Sequence, residues 1–386
     1  MGQRKGLRIT SYSEQSVYGH KVVFYQIEVE GSKFTTPIKA LTKAELIAKQ
    51  YSASNIYLPD YAFICSSPFK KSDKPDLDSE LTKLRNLLSS NNKIFIYIPS
   101  IPGNTEDTKV DAIKDSVQYQ YEYKTSILAV PIKDLSREKA INIVKNVVKD
   151  YKDQSVFPVV GIDSASVTKE LIHKVNEISG IIIRFDKKNI ESYNKIHSNV
   201  KTLYSIVEGS NKLPIFVDLP KSFKVIVRSR QYVIESTTLL RYFFSGILSY
   251  NTRFRPSGRK LEGASYYKLI QERFNASAII DPITNEPVSL SQMISNNKKF
   301  EEIKTKIKQI AKPDDETAIF LLDHIEEAFR ESDIEKKRVI SSLVEALNSV
   351  IIHYELEDFR KDAVSCTSKN NSLQDILRSF SGLEMF

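Results

Sequence analysis

The residues of this sequence best placed to do chemistry are carboxylates that follow short apolar runs. Asp163 follows VVGI, Asp186 follows IIIRF, and Asp218 sits within LPIFVDLP. In a parallel α/β fold, residues just past the C-terminal ends of strands line the ligand crevice. A carboxylate there can serve as nucleophile or as general acid–base. Glu208 and Arg184 hold comparable positions, and Asp60 lies in an apolar run beside Pro59. Asp218 and Asp163 are the candidate catalytic residues. Asp and Ser after a strand also cap the next helix. Asp163-Ser164 and Asp186 precede helical patterns at 167–178 and 190–198, whereas Asp218 has no clear helix to cap.

A basic segment follows directly after Asp218. Residues 221–260 hold Lys221, Lys224, Arg228, Arg230, Arg241, Arg253, Arg255, Arg259 and Lys260, opposed only by Glu235. The chain's net charge is +8, so this one stretch carries the whole surplus. Six of the nine are arginines, whose planar fork suits phosphate or carboxylate better than lysine does. Tyr242, Phe243, Phe244, Tyr250, Phe254, Tyr266 and Tyr267 interleave with them or follow. Cations that track phosphates, with aromatic faces that stack bases, are the pattern of a nucleic-acid partner. The plainer alternative is a helix at 236–249 that buries its apolar residues and leaves the arginines in solvent.

Other chemistries find little support. No G-x-x-x-x-G-K-[ST], G-x-G-x-x-G or G-x-S-x-G motif occurs. The five histidines are scattered without ligand spacing, and the two cysteines, Cys65 and Cys366, cannot make a cysteine-rich zinc site. No metal or other cofactor is expected. The 386 residues contain 41% hydrophobic and 27% charged residues, an ordinary globular balance. No long apolar run or signal-peptide pattern is found, so the expectation is a cytoplasmic protein with no membrane span.

These residues need elements to position them. Strand-like runs occur at 56–64, 94–99, 127–132, 156–162, 181–185, 202–207, 215–219 and 225–234, with helical patterns at 79–90, 136–151, 167–178 and 190–198. Eight strands alternating with helices predict an α/β fold, an irregular (β/α)8 barrel-like domain. The seven residues between 202–207 and 215–219 are too few for an ordinary parallel crossover. Segment 100–126, with Pro102-Gly103-Asn104 and a tyrosine run, reads as an excursion loop. Segment 1–55 is a strand and helix leading into a barrel-like domain at 56–289. An all-helical domain follows at 290–364. Its apolar stripe over 333–356 suits core packing, with a dimer seam as the alternative. Residues 365–386 are a linker and tail. In that tail Gln374, Leu377 and Phe380 fit Q-x-x-[ILM]-x-x-F, which resembles the peptide that docks on replication sliding clamps, although a tail packing on its own core fits the same residues.

Two short stretches resemble the tRNA-guanine transglycosylase superfamily. Phe34-Thr35-Thr36-Pro37 and the following Lys39 to Leu46 are similar to that family's T-P dipeptide and its K-x-L-T-x-x-E-L helix start. Phe216 to Pro220 resembles its F-D-x-V-L-P, with the aspartate shifted by one place. The resemblance implies a (β/α)8 barrel and makes Asp218 the nucleophile that displaces a base from ribose. The family's D-S-G-G-F-Q segment and its C-x-C-x2-C zinc motif do not occur in this chain. VFPVVGID, GIIIRFD and LPIFVDL are also similar to strands of a phage protein family of unknown function, again barrel-like.

The sequence therefore predicts a protein that binds DNA or RNA, in the catalytic version by base exchange. One alternative is a non-catalytic accessory protein of DNA replication, repair or a mobile element. The other is a small-molecule enzyme with a phosphorylated substrate.

Overall fold

The structure, a computed structural model, describes residues 6–17, 20–51, 62–88, 94–103, 105–185, 199, 202–203, 205–207, 210–219, 222–227, 230–235, 246–250, 252–253, 263–275, 277–284, 287–311, 316–329 and 334–361. The chain opens with an antiparallel sheet of β1 (Arg8–Val17), β2 (His20–Val29) and β3 (Ser32–Thr35). Glu30 and Gly31, both at positive φ, make the tight turn between β2 and β3. Val23, Tyr25, Ile27 and Val29 alternate along β2 and are buried, the period-two pattern of a half-buried strand.

A parallel β/α alternation follows: β4 (Ile38–Lys39), α1 (Lys43–Tyr51), β5 (Ala62–Pro68), α2 (Lys74–Asn86), β6 (Ile94–Ser100), α3 (Glu106–Tyr123), β7 (Leu128–Pro131), α4 (Arg137–Asp150), β8 (Val156–Gly161), α5 (Ala165–Lys174), β9 (Gly180–Arg184) and β10 (Leu213–Val217). A hairpin, β11 (Ser222–Val227) and β12 (Arg230–Glu235), separates β10 from β13 (Ile247–Leu248). Six of these strands form a parallel sheet in the order β4-β13-β10-β9-β8-β7, and β5 and β6 form a parallel pair. The pair engages both edges of the six. Leu41 donates to the Ala62 carbonyl at 2.8 Å and accepts from Ile64 at 3.0 Å. Ser126 donates to the Phe95 carbonyl at 2.9 Å.

Both faces of these strands are buried, which is why they read as continuous apolar runs. Ile38, Ile64, Ile96, Ala129, Val159, Ile182, Ile215 and Ile247, one from each of the eight strands, belong to one apolar cluster with the inward residues of β2. Their neighbours Phe63, Phe95, Val130, Val160, Ile183, Phe216 and Leu248 belong to a second cluster with the helices. Close approach sets two glycines. A Cβ on Gly180 would lie 2.3 Å from the Leu213 carbonyl oxygen, and one on Gly246 would lie 2.2 Å from that of Pro214.

The C-terminal part contains α6 (Ala264–Asn275), the hairpin β14 (Ala278–Ile280) and β15 (Pro287–Ser289), α7 (Leu290–Ser295), α8 (Asn297–Ile310), α9 (Thr317–Phe329) and α10 (Ile334–Lys361). Within α10, Lys337–Glu357 is long and apolar enough to cross a membrane by length and composition. Its Ile340, Leu343, Val344, Leu347, Val350 and Ile351 are instead buried in the core, and α10 packs on α1, α6 and α9. A buried ion pair ties it to the sheet: Lys39 Nζ lies 2.6 Å from Glu45 Oε1 and 2.7 Å from Ser349 Oγ. Glu45 also accepts from the Thr42 backbone N–H at 2.7 Å, half of the capping box its spacing predicts.

Four expectations are corrected. Described residues of 202–207 are helical, not a strand, so the short crossover before β10 disappears. LYSIV is a short apolar run with no period to separate the two states. Segment 106–123 is an 18-residue helix, not a loop; Thr105 caps it through the Thr108 N–H, with Glu106 and Asp107 in its first turn. The single strand at 225–234 is a hairpin, paired Val227 to Arg230, whose turn carries no Gly, Pro or Asn to mark it. Residues 247–248, read as the end of a helix, form a strand between β4 and β10. Helix 190–198, Asp60, Asp186, Glu208 and the 365–386 tail with Gln374, Leu377 and Phe380 lie outside the described residues.

Candidate functional site

The C-terminal ends of β9 and β10 and the segment after β13 converge on one carboxylate. Arg184 is two residues beyond Ile182 on β9, so strand alternation puts it on the same face as the inner cluster. Asp218 follows β10 with φ of 59°, a left-handed conformation that Asp tolerates better than most residues. Its backbone N–H donates to the Tyr250 carbonyl at 3.1 Å, which fixes it against the segment after β13.

Both oxygens of Asp218 are engaged. Oδ1 accepts from the Thr252 N–H at 2.9 Å and from the Thr252 hydroxyl at 2.8 Å. Oδ2 lies 3.2 Å from Arg184 Nε and 3.4 Å from Arg253 Nε. Thr252 is in turn fastened to β5: its hydroxyl is 3.0 Å from that of Ser66, and its carbonyl accepts from the Ser66 N–H at 2.8 Å. Asp218 and Arg184 are nearly buried, with side chains 7% and 11% exposed, whereas Arg253 is 53% exposed. The triad thus runs from the interior to solvent. Burial pushes the Arg184 guanidinium below the usual arginine value, Asp218 opposes that shift, and Arg253 adds to it.

The Arg184–Asp218 contact is an ion pair by distance but lies off the N–H direction. Arg184 Nε and Nη2 are buried and have no hydrogen-bond acceptor among the described residues. A buried donor without an acceptor costs about 1–3 kcal/mol, and more when charged.

The predicted residues fall into three groups. Asp218 and Arg253 come together, and Arg184 joins them. Asp163 follows β8, two residues beyond Gly161, which is in register with Arg184. Its side chain is exposed, and Oδ1 sits 2.7 Å from where a Gly161 Cβ would be. Ser164 holds the N-cap position of α5 without a side-chain capping bond. Lys224 and Arg230 lie on β11 and β12, whose backbone alone is described; Lys221, Arg228, Arg241, Arg255, Arg259 and Lys260 fall outside the described residues. Sequence reasoning missed Thr252, Ser66, Lys109 and Lys133. Lys133 had a usable signal, because it stands just past the end of β7, the same kind of position that singled out Asp163.

Among the described residues, no group of three or more His, Cys, Asp or Glu side chains could hold a metal ion. No protein-family model matches the chain, and a search of curated proteins finds no match either.

Proposed function

We propose that the eight parallel strands close into a (β/α)8 barrel and that its C-terminal rim binds the phosphate backbone of a nucleic acid in the cytoplasm. The barrel reading is supported by the single cluster that draws an alternate residue from every strand, and by the Leu41–Ala62 and Ser126–Phe95 bonds at the sheet's two edges. In such a barrel the C-terminal rim is the functional face.

One observation carries the nucleic-acid reading. Arg253, the member of the basic segment whose side chain is described, leans on Asp218 beside the buried Arg184 while staying half exposed. Within the segment that holds the chain's whole positive surplus, Arg253 is thereby anchored at the strand ends. In this reading Asp218 is a positioning carboxylate: it holds two guanidinium groups toward the rim. A nucleophile needs a lone pair directed at substrate, and both Asp218 oxygens already face donors, so the arrangement favours binding over base exchange.

Fluorescence anisotropy with labelled single- and double-stranded DNA and RNA, over a salt series, tests the proposal. Phosphate-dominated binding gives a steep linear fall of log affinity with log salt. Absent or salt-independent binding to all four overturns it.

A further inference from the structure

Arg184 also lines a small cavity at the ends of β6, β7 and β8. The cavity holds about 80 Å³, and Ser100, Lys109, Pro131, Lys133 and Asp134 are among its walls. Lys109 lies on the first turns of α3 with its side chain 18% exposed. Asp134 is the opposing carboxylate; it is 65% exposed and 4.0 Å from Lys109 Nζ. Among the described residues, three cationic side chains share the wall with one acidic group that points largely to solvent, and Arg184 is also paired with Asp218.

Size and chemistry agree on the occupant. A water molecule takes about 30 Å³ of liquid, so the space suits a group of two or three waters' volume. Arg184 is among the cavity walls, and a guanidinium favours an oxyanion as its partner. We propose that this cavity binds one tetrahedral oxyanion, a phosphate group, held by Arg184 with Lys109 and Lys133 beside it. The site stands on residues outside the basic segment, so it goes beyond the nucleic-acid reading and survives if that reading fails.

A phosphate group can arrive as free phosphate or on a nucleotide. Isothermal titration calorimetry at constant ionic strength, with inorganic phosphate and separately with nucleoside 5′-monophosphates, distinguishes the two. Saturable phosphate binding is expected. Arg184→Gln should weaken it roughly tenfold or more, the worth of one charge-assisted hydrogen bond. Lys109→Gln should weaken it as well, and it carries the test if circular dichroism shows that the Arg184 variant does not fold. Tighter binding of the monophosphates assigns the group to a nucleotide; equal binding assigns it to free phosphate. No binding by the wild-type protein, or unchanged affinity in a folded variant, overturns the proposal. Arg184-dependent phosphate binding without polynucleotide binding overturns only the nucleic-acid reading.

Discussion

Removing the Asp218 carboxylate should destabilise the fold in a graded way. Asp218→Ala takes the acceptor from the Thr252 N–H, in a residue that is 1% exposed; an orphaned buried donor costs about 1–3 kcal/mol. It also leaves Arg184 without its counter-charge, and removing one partner of a buried ion pair costs about 3–5 kcal/mol. Arg253 is half exposed and adds little. The two larger costs share one carboxylate and do not sum, so the expected loss is about 3–5 kcal/mol. Asp218→Asn keeps an acceptor for Thr252 and tolerates the left-handed backbone, so it isolates the charge and should cost less. Urea unfolding followed by circular dichroism at neutral pH measures both. The order wild type, Asn, Ala in falling stability is expected. Both variants within about 0.5 kcal/mol of wild type, the range of ordinary surface changes, would refute the claim that Asp218 holds Arg184.

Two further outcomes concern the frame around the site. Lys39→Met strands Glu45 in the core between α1 and α10 and should cost about 3–5 kcal/mol in urea unfolding, with much of it restored in Lys39→Met/Glu45→Met, because an apolar pair is often as stable as a buried ionic one. Burial pushes the Asp281 carboxyl up, but the Lys306 ammonium and the Ile283 and Thr284 N–H groups outweigh it, leaving its value below the usual aspartate range. A depressed carboxylate contributes stability above its unfolded value, near 3.9, and that contribution is lost as pH falls toward the folded value. Unfolding measured against pH should show this acid loss in wild type and a flatter profile in Asp281→Asn.

Much of the frame is legible in the residues. VFPVVG, GIIIR and LPIFV announce parallel strands because both of their faces are buried, and the strand-end rule then leads to Arg184 and Asp218. Two strands escape notice because two residues, Ile38–Lys39 or Ile247–Leu248, are too short to show a period. Only contact with neighbours makes them strands, as the tight fit of Gly246 against Pro214 shows. Helix α3 is hidden by Pro102-Gly103 just before it and by Tyr119 and Tyr123, which pack on α2 and β6 instead of forming a plain apolar stripe. Thr252 at the carboxylate, and Ser66 behind it, were not legible. Thr252 and Ser66 meet across 186 residues of sequence, and no local pattern encodes such a contact.

The central claim is that the basic segment meets nucleic-acid phosphates at the rim built around Asp218. The most direct measurement is the salt dependence of polynucleotide affinity for wild type and Arg253→Ala. One lost phosphate contact should weaken binding to all sequences alike and reduce the magnitude of the log–log slope by about one. A slope and affinity identical to wild type would contradict the account.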